Sequence, residues 1–216
     1  MNGFDFFLAG ARLTALGSGA LWWAEQRLLC VSDLHLGKSE RHARRGGAAL
    51  PPYEGRDTLH RLGTLIAGLA PATVVCLGDS FDDAAAADAL PGAERHTIRE
   101  LSDGRRWIWI EGNHDPAPDG FGGERHATLR LGPLSFRHIA EPRATAEVSG
   151  HYHPKARLRS ISRPAFLVDT DRLILPAFGT YTGGLRSSDP AFAPLMGPGA
   201  LAILTGPRPV PVPMPR

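Results

Sequence analysis

Cysteine is almost absent. Only Cys30 and Cys76 occur in 216 residues, and each lies inside an apolar run, Leu28-Leu29-Cys30-Val31 and Val74-Val75-Cys76-Leu77, that reads as a buried strand. A disulfide scaffold is therefore excluded. Long hydrophobic runs are missing too: the longest candidate, Leu62 to Leu77, is broken by Pro71 and by threonines, short of the roughly 18–20 residues that span a bilayer. It reads as the end of a helix, a turn and a strand. Met1 to Ala11 lacks the basic stretch of a secretory signal, so the expectation is a cytoplasmic protein with no membrane contact. Neither sign of charge dominates, with 24 Lys and Arg against 22 Asp and Glu and a net charge of +2. Such a chain has no global field to hold a polyanion, and any nucleic-acid contact must come from a local patch. What remains is ordinary globular composition, 43% hydrophobic and 21% charged, at a length suited to one core.

Four apolar stretches rich in β-branched and aromatic residues end abruptly in polar clusters. They are Arg27–Val31 before Ser32-Asp33, Thr73–Leu77 before Gly78-Asp79, Arg106–Ile110 before Glu111-Gly112-Asn113, and Glu147–Val148 before Ser149-Gly150. Each reads as a strand delivering a loop. Between the first two, Arg56–Leu69 spaces Leu59, Leu62, Leu65, Ile66 and Leu69 for one helical face, and Ala93–Leu101 reads similarly between the second and third. Strand, helix, strand, helix, strand implies a βαβ half. After residue 125 the pattern turns to short strands, Ala127–Leu131, Leu134–Phe136, Ala165–Val168, Arg172–Leu175 and Ala200–Leu204, punctuated by Gly and Pro. The two halves suggest an α/β chain of two packed sheets with helices outside. They form one domain over 1–204, followed over 205–216 by a Pro-rich tail expected to be extended and poorly ordered.

The polar clusters carry the chemistry. Asp33-Leu34-His35 offers an oxygen and a nitrogen ligand two residues apart, which in the extended exit of a strand point to one side. Gly78-Asp79 sets a carboxylate at a strand's carboxyl end, the usual ligand face of an α/β sheet. Gly112-Asn113-His114-Asp115 adds an amide oxygen and an imidazole, and Gly150-His151-Tyr152-His153 alternates two more imidazoles. One such cluster could be an ordinary turn; four at successive strand ends point to a shared site. Carboxylate, imidazole and amide oxygen without thiolate suit Mn²⁺, Fe²⁺, Zn²⁺ or Mg²⁺. Six donors are too many for one zinc. Two ions sharing one carboxylate use them all and form a clamp suited to displacement at phosphorus.

These motifs, Ser32-Asp33-Leu34-His35-Leu36-Gly37-Lys38, Gly78-Asp79, Gly112-Asn113-His114-Asp115 and Gly150-His151-Tyr152-His153, resemble the series of the calcineurin-like metallophosphoesterases. Gly150-His151-Tyr152-His153-Pro154 and the run from Leu175 to Gly184 resemble one branch more closely, the ligase-associated DNA damage response endonucleases. The resemblance implies a four-layer α/β/β/α sandwich and two divalent ions, Mn²⁺ foremost. It implies that Asp33, His35 and His153 bind one ion, Asp79 bridges, and Asn113 and His151 bind the second. A further histidine belongs between the third and last motifs. His138 is the candidate and His126 the alternative, although the chain has His138-Ile139 where many relatives have His-Gly. His114 is then free to give a proton to the substrate, with Asp115 orienting it. The implied partners are DNA, single-stranded, and functional links to an ATP-dependent DNA ligase and an Lhr-type helicase.

Basic residues run beside the first motif (Lys38, Arg41, His42, Arg44, Arg45) and after the last (Lys155, Arg157, Arg159). Next to a phosphate-processing centre they read as a backbone-binding rim, for which Lys38, Arg41, Arg44, Lys155 and Arg157 are the candidates. Tyr53, Phe81, Tyr152 and Tyr181 are candidates for stacking on bases. Three lookalikes fail. Gly37-Lys38-Ser39 lacks the first glycine of a P-loop, Gly78-Asp79-Ser80-Phe81-Asp82 lacks the final glycine of a nucleophile elbow, and Gly17-Ser18-Gly19 lacks the third glycine of a dinucleotide fingerprint. The expected activity is hydrolysis of DNA phosphodiesters by a metal-activated water. The alternatives are a small nucleotide or lipid phosphoester, which predicts a closed pocket where DNA needs an open groove, and a domain of this fold that has lost catalysis and serves as an interaction module.

Overall fold

A computed structural model describes residues 2–47, 50–115 and 120–214. The first sheet runs in spatial order through β1 (Gly3–Leu8), β2 (Ala11–Leu16), β3 (Leu21–Trp23), β4 (Leu28–Val31), β5 (Thr73–Leu77), β6 (Arg106–Ile110) and β7 (Glu124–His126). The first three pairings are antiparallel and the last three parallel. Helices α1 (Lys38–Arg44), α2 (Glu54–Leu69), α3 (Ala84–Asp88) and α4 (Gly92–Ser102) fill the crossovers.

The parallel strands are buried on both faces, so they read as continuous apolar runs, yet their residues still sort by period two. Cys30, Val75, Leu77, Ile108 and Ile110 face the second sheet. Val31, Val74, Cys76, Trp107 and Trp109 face the helices, where Leu59, Leu62, Leu65 and Ile66 of α2 meet them. At its end α2 stops in left-handed Ala70 (φ 45°) just before Pro71, which cannot continue a helix.

The second sheet comprises β8 (Thr128–Leu131), β9 (Leu134–Arg137), β10 (Glu147–Ser149), β11 (Lys155–Leu158), β12 (Ile161–Val168), β13 (Arg172–Ile174), β14 (Leu201–Leu204) and β15 (Val210–Pro213), in the order β15-β14-β12-β13-β10-β9-β8 with β11 on β12. Phe136, Val148, Phe166, Leu173 and Ile203 close the core against the first sheet. The two-sheet sandwich with helices outside is the expected one, and α2 packs on the outer face of the first sheet. The outer face of the second sheet is covered by an irregular segment with one 3₁₀ turn, Pro190–Phe192, whose Phe192 and Leu195 pack on Ala165, Leu167 and Ala202. Proline and glycine recur through 176–199 and prevent a longer helix there.

The tail is extended, as expected, but its described part is held in place. Val210–Pro213 is an edge strand on β14, with Val212 opposite Ala202 and Pro211 opposite Ile203. Met214 N–H donates to Ala200 O, so Pro211 and Pro213, at the alternate positions, turn their missing donors away from the sheet, where an edge strand tolerates proline.

Candidate metal centre

The loops leaving β4, β5, β6 and β10 meet at one end of the sandwich. Backbone bonds lace the first two: Asp33 N–H donates to Gly78 O, His35 N–H to Asp79 O, Leu36 N–H to Ser80 O, and Asp82 N–H back to Leu36 O. These loops are not extended, contrary to the expectation for Asp33-Leu34-His35. Asp33 (φ 53°), His35 (46°), Asp79 (44°), His151 (72°) and His153 (46°) all lie in the left-handed region. Each such non-glycine residue costs about 1–3 kcal/mol and persists only where the surroundings over-determine it, most often at functional sites. Five at one locus is strain concentrated on the donors themselves. Glycines make room for them. A Cβ on Gly78 (φ 77°) would sit 2.3 Å from His138 Nδ1, and one on Gly150 would sit 1.8 Å from Ser32 Oγ.

Two groups of three donors result, Asp33 with His35 and His153, and Asp79 with His138 and His151, each gathered within 4.8 Å. In the first, His35 Nε2 and His153 Nε2 stand 3.3 Å apart, and buried Asp33 Oδ1, which receives no hydrogen bond from the described residues, is 3.2 Å from His153 Nε2. In the second, His138 Nδ1 is 3.0 Å from Leu77 O, which can only accept, so that nitrogen carries the proton. The lone pair on Nε2 then faces Asn113 Oδ1 at 2.9 Å, Asp79 Oδ2 at 3.2 Å and His151 Nδ1 at 3.3 Å. Acceptors aimed at acceptors repel unless a cation lies among them. The donor set therefore fits two divalent ions, and Asn113 joins the second group. His126, by contrast, is 3.1 Å from Glu124 Oε2 on β7, so the structure brings His138, not His126, into the centre.

The electrostatics agree. Burial works to raise Asp33, but His153, His138 and Ser32 hold its carboxyl below the ordinary value. Asp79 is likewise raised by burial yet held at about 2, chiefly by His138, with the His114 N–H also bonded to it. Burial lowers His138, and Asp79 with Asp33 more than reverses this, raising it above the ordinary imidazole value. Metal and proton compete for the same lone pair.

Other expected residues fall differently. His114 is exposed at the rim, its ring 6.0 Å from that of His35. Asp115 does not orient it: Asp115 Oδ2 accepts from Phe81 N–H at 2.8 Å, and Oδ1, also buried, has no hydrogen-bond partner among the described residues. Burial and the nearby Asp79 push its carboxyl up to about 7, with the Phe81 bond opposing. The basic residues of α1 are not free. Arg41 reaches Asp82 and Asp83, Arg44 reaches Glu40 and Asp83, and Lys38 Nζ is 3.7 Å from Asp82 Oδ1. Lys155 Nζ is 3.5 Å from Thr182 O, and Arg157 bonds only the Arg159 carbonyl among the described residues. Phe81 is fully buried, and Tyr152 packs on Phe192 and His151, whereas Tyr53 and Tyr181 are exposed.

One residue escaped the sequence reading. Asp82 is buried, with Oδ1 2.8 Å from His35 Nδ1 and Oδ2 accepting from Arg41 Nη1. It fixes which nitrogen of His35 faces the donor cluster. The signal was an acidic residue three positions after Asp79, in a segment weighed only as a nucleophile elbow. The segment from Leu175 to Leu185 braces the donor loops: Phe178 N–H donates to Ser32 O, Gly179 N–H to Asp33 O, and Leu185 N–H to Tyr152 O.

Two stacked sheets carrying aspartates, histidines and an asparagine at their strand ends define a metal-dependent hydrolase. The sequence profile of the calcineurin-like phosphoesterases matches residues 26–174, and the chain belongs to that family. A solved structure, the Pseudomonas putida nuclease MPE, superposes with a TM-score of 0.78 at 28% identity, covering 98% of this chain and 100% of that one. A comparison with curated protein sequences gives no match. Among the described residues no helix is long and apolar enough to cross a membrane.

Proposed function

We propose that the chain is a phosphodiesterase that cuts single-stranded DNA with two divalent ions, Mn²⁺ foremost, in DNA repair alongside a ligase and an Lhr-type helicase. The observation that carries the metal-dependent reading is the convergence of the His138 lone pair with Asn113 Oδ1, Asp79 Oδ2 and His151 Nδ1. The polymeric substrate is supported by likeness to a structure described as a nuclease and by an open setting. Asn113 and His114 are exposed, and the depression beside them, of about 290 Å³ and lined by Asn113, Arg137, His138 and Ile139, is a surface feature.

Asp33, His35 and His153 would hold one ion, Asn113, His138 and His151 the other, with Asp79 placed between the two groups. Bound there, the ions neutralise phosphate charge and acidify water. His114 stands outside both groups with its main chain fixed by Asp79, and it gives a proton to the leaving oxygen. A water oxygen forms the new bond to phosphorus and releases a proton to solvent, the ester P–O bond breaks, and the leaving oxygen takes the His114 proton and departs as a hydroxyl. No covalent enzyme intermediate is needed.

The test is incubation of Mn²⁺-loaded protein with circular single-stranded DNA, bis-p-nitrophenyl phosphate and cyclic nucleotides in parallel. Linearisation of the circle is expected. Turnover of cyclic nucleotides with an intact circle makes the enzyme a small-substrate phosphodiesterase, and no turnover of any substrate makes the domain a non-catalytic module.

A further inference from the structure

The chain carries two basic segments beside the centre, and only one of them is available. The arginines of α1 are neutralised internally by Asp82, Asp83 and Glu40. Arg157 and Arg159 meet no acidic group among the described residues, and their one mutual contact runs from Arg157 Nε to the Arg159 main chain.

These two arginines sit on a projecting hairpin. β11 begins two residues after His153 and pairs antiparallel with the first half of β12, from Lys155 opposite Pro164 to Leu158 opposite Ile161. Only from Ala165 does β12 enter the second sheet, against β14. The turn is two residues, Arg159 and Ser160, with Arg159 in the left-handed region (φ 55°). At the tip Leu158 and Ile161 face each other, 39% and 53% exposed. At the base Arg163 is anchored through its Nη1 to Thr205 O. A single exposed leucine means little. Two large apolar side chains paired across a turn and flanked by unpaired arginines present an apolar wedge within a positive field.

We propose that this hairpin grips the nucleic-acid strand, with Arg157 and Arg159 on phosphates and Leu158 and Ile161 against base faces. The proposal rests on the nuclease reading of the metal centre and names the part of the molecule that holds its substrate. A polyanion with apolar faces satisfies both halves of the tip: arginine binds phosphate without regard to sequence, and aliphatic side chains wedge between or against bases. Geometry sets the footprint. Leu158 lies five positions after His153, at most about 17 Å of extended chain, and nucleotides with duplex-like stacked bases step about 3.4 Å along the axis. The tip therefore reaches nucleotides up to about five positions from the bond being cut.

The experiment measures kcat/KM of Mn²⁺-loaded protein on oligothymidylates of increasing length, with bis-p-nitrophenyl phosphate as the short limit. The unmodified protein should gain efficiency with length and level off near five to six nucleotides. The double variant Leu158→Ser/Ile161→Ser should keep the aryl diester and dinucleotide rates and lose about fivefold or more on long oligomers. Arg159→Gln should make the fall of log affinity with log salt shallower by about 0.7. An unchanged length profile in the double variant overturns the proposal while leaving the nuclease reading intact. If that variant also loses the aryl diester, the salt slope of Arg159→Gln decides, and an unchanged slope overturns the proposal. Unmodified protein that turns over the aryl diester but no oligomer of any length overturns the nuclease reading itself.

Discussion

His35 and Asp82 face each other across two strand-end loops, Nδ1 of the imidazole 2.8 Å from Oδ1 of the carboxylate, each side chain only 5% exposed. The carboxylate oxygen lies within reach of the imidazole Nδ1 and holds the ring in this orientation. The contact presents His35 Nε2 to Asp33 and His153. Asp82→Asn keeps the volume and removes the charge. It should weaken metal affinity about 10- to 100-fold, with activity restored by raising Mn²⁺. Isothermal titration of metal gives the answer, and unchanged affinity removes Asp82 from the site.

Arg41 acts on the same carboxylate from the other side, 2.9 Å from Asp82 Oδ2. Arg41→Gln should therefore lower activity in the same direction as Asp82→Asn but less, and equally on an aryl diester and an oligonucleotide. A loss confined to the oligonucleotide restores Arg41 as a DNA contact.

Asp79 offers one oxygen to His138 while the other accepts from His114 N–H. Elemental analysis after Mn²⁺ loading should find two ions per chain in the unmodified protein and far fewer in Asp79→Ala. Full occupancy with full activity in that variant would falsify a shared carboxylate.

His114→Ala should retain both ions and lose about 10²- to 10⁴-fold in kcat, the usual cost of removing a positioned acid. If metal content drops while the rate per bound ion stays constant, His114 is a ligand rather than the proton donor.

Glu94 of α4 is buried beside Gly55 of α2, where a Cβ would sit 2.2 Å from its Oε2. Burial, together with nearby Glu54, raises its carboxyl above the ordinary value. The folded state therefore holds this proton to higher pH than the unfolded chain does, so the group's burden is absent below the unfolded pKa and grows as pH rises through the folded one. Glu94→Gln should raise the thermal midpoint at pH 8, by about 2–4 °C per kcal/mol recovered, with the gain vanishing near pH 4. A gain of equal size at both pH values would have another cause.

The sequence by itself determined the strands that deliver the polar loops and the candidate donors those loops carry. Apolar runs buried on both faces, such as Val74-Val75-Cys76-Leu77, announce themselves locally, and aspartate and histidine after such runs bring their chemistry wherever the chain carries them. His138, 24 residues after His114 and preceded by Leu134-Ser135-Phe136-Arg137, was indicated by the family resemblance together with its place after a strand. Only the tertiary structure decided the rest, because it depends on through-space contacts between distant residues. The Asp33-Leu34-His35 backbone turns left-handed where the loop beginning at Gly78 hydrogen-bonds it. Arg41 is consumed by Asp82, 41 residues away, while Arg157, equally basic in sequence, meets no acid among the described residues. Asp115 follows His114 directly yet bonds Phe81 instead. Charge and polarity are written residue by residue; which charge meets which is set by the packing of loops that only the two sheets bring together.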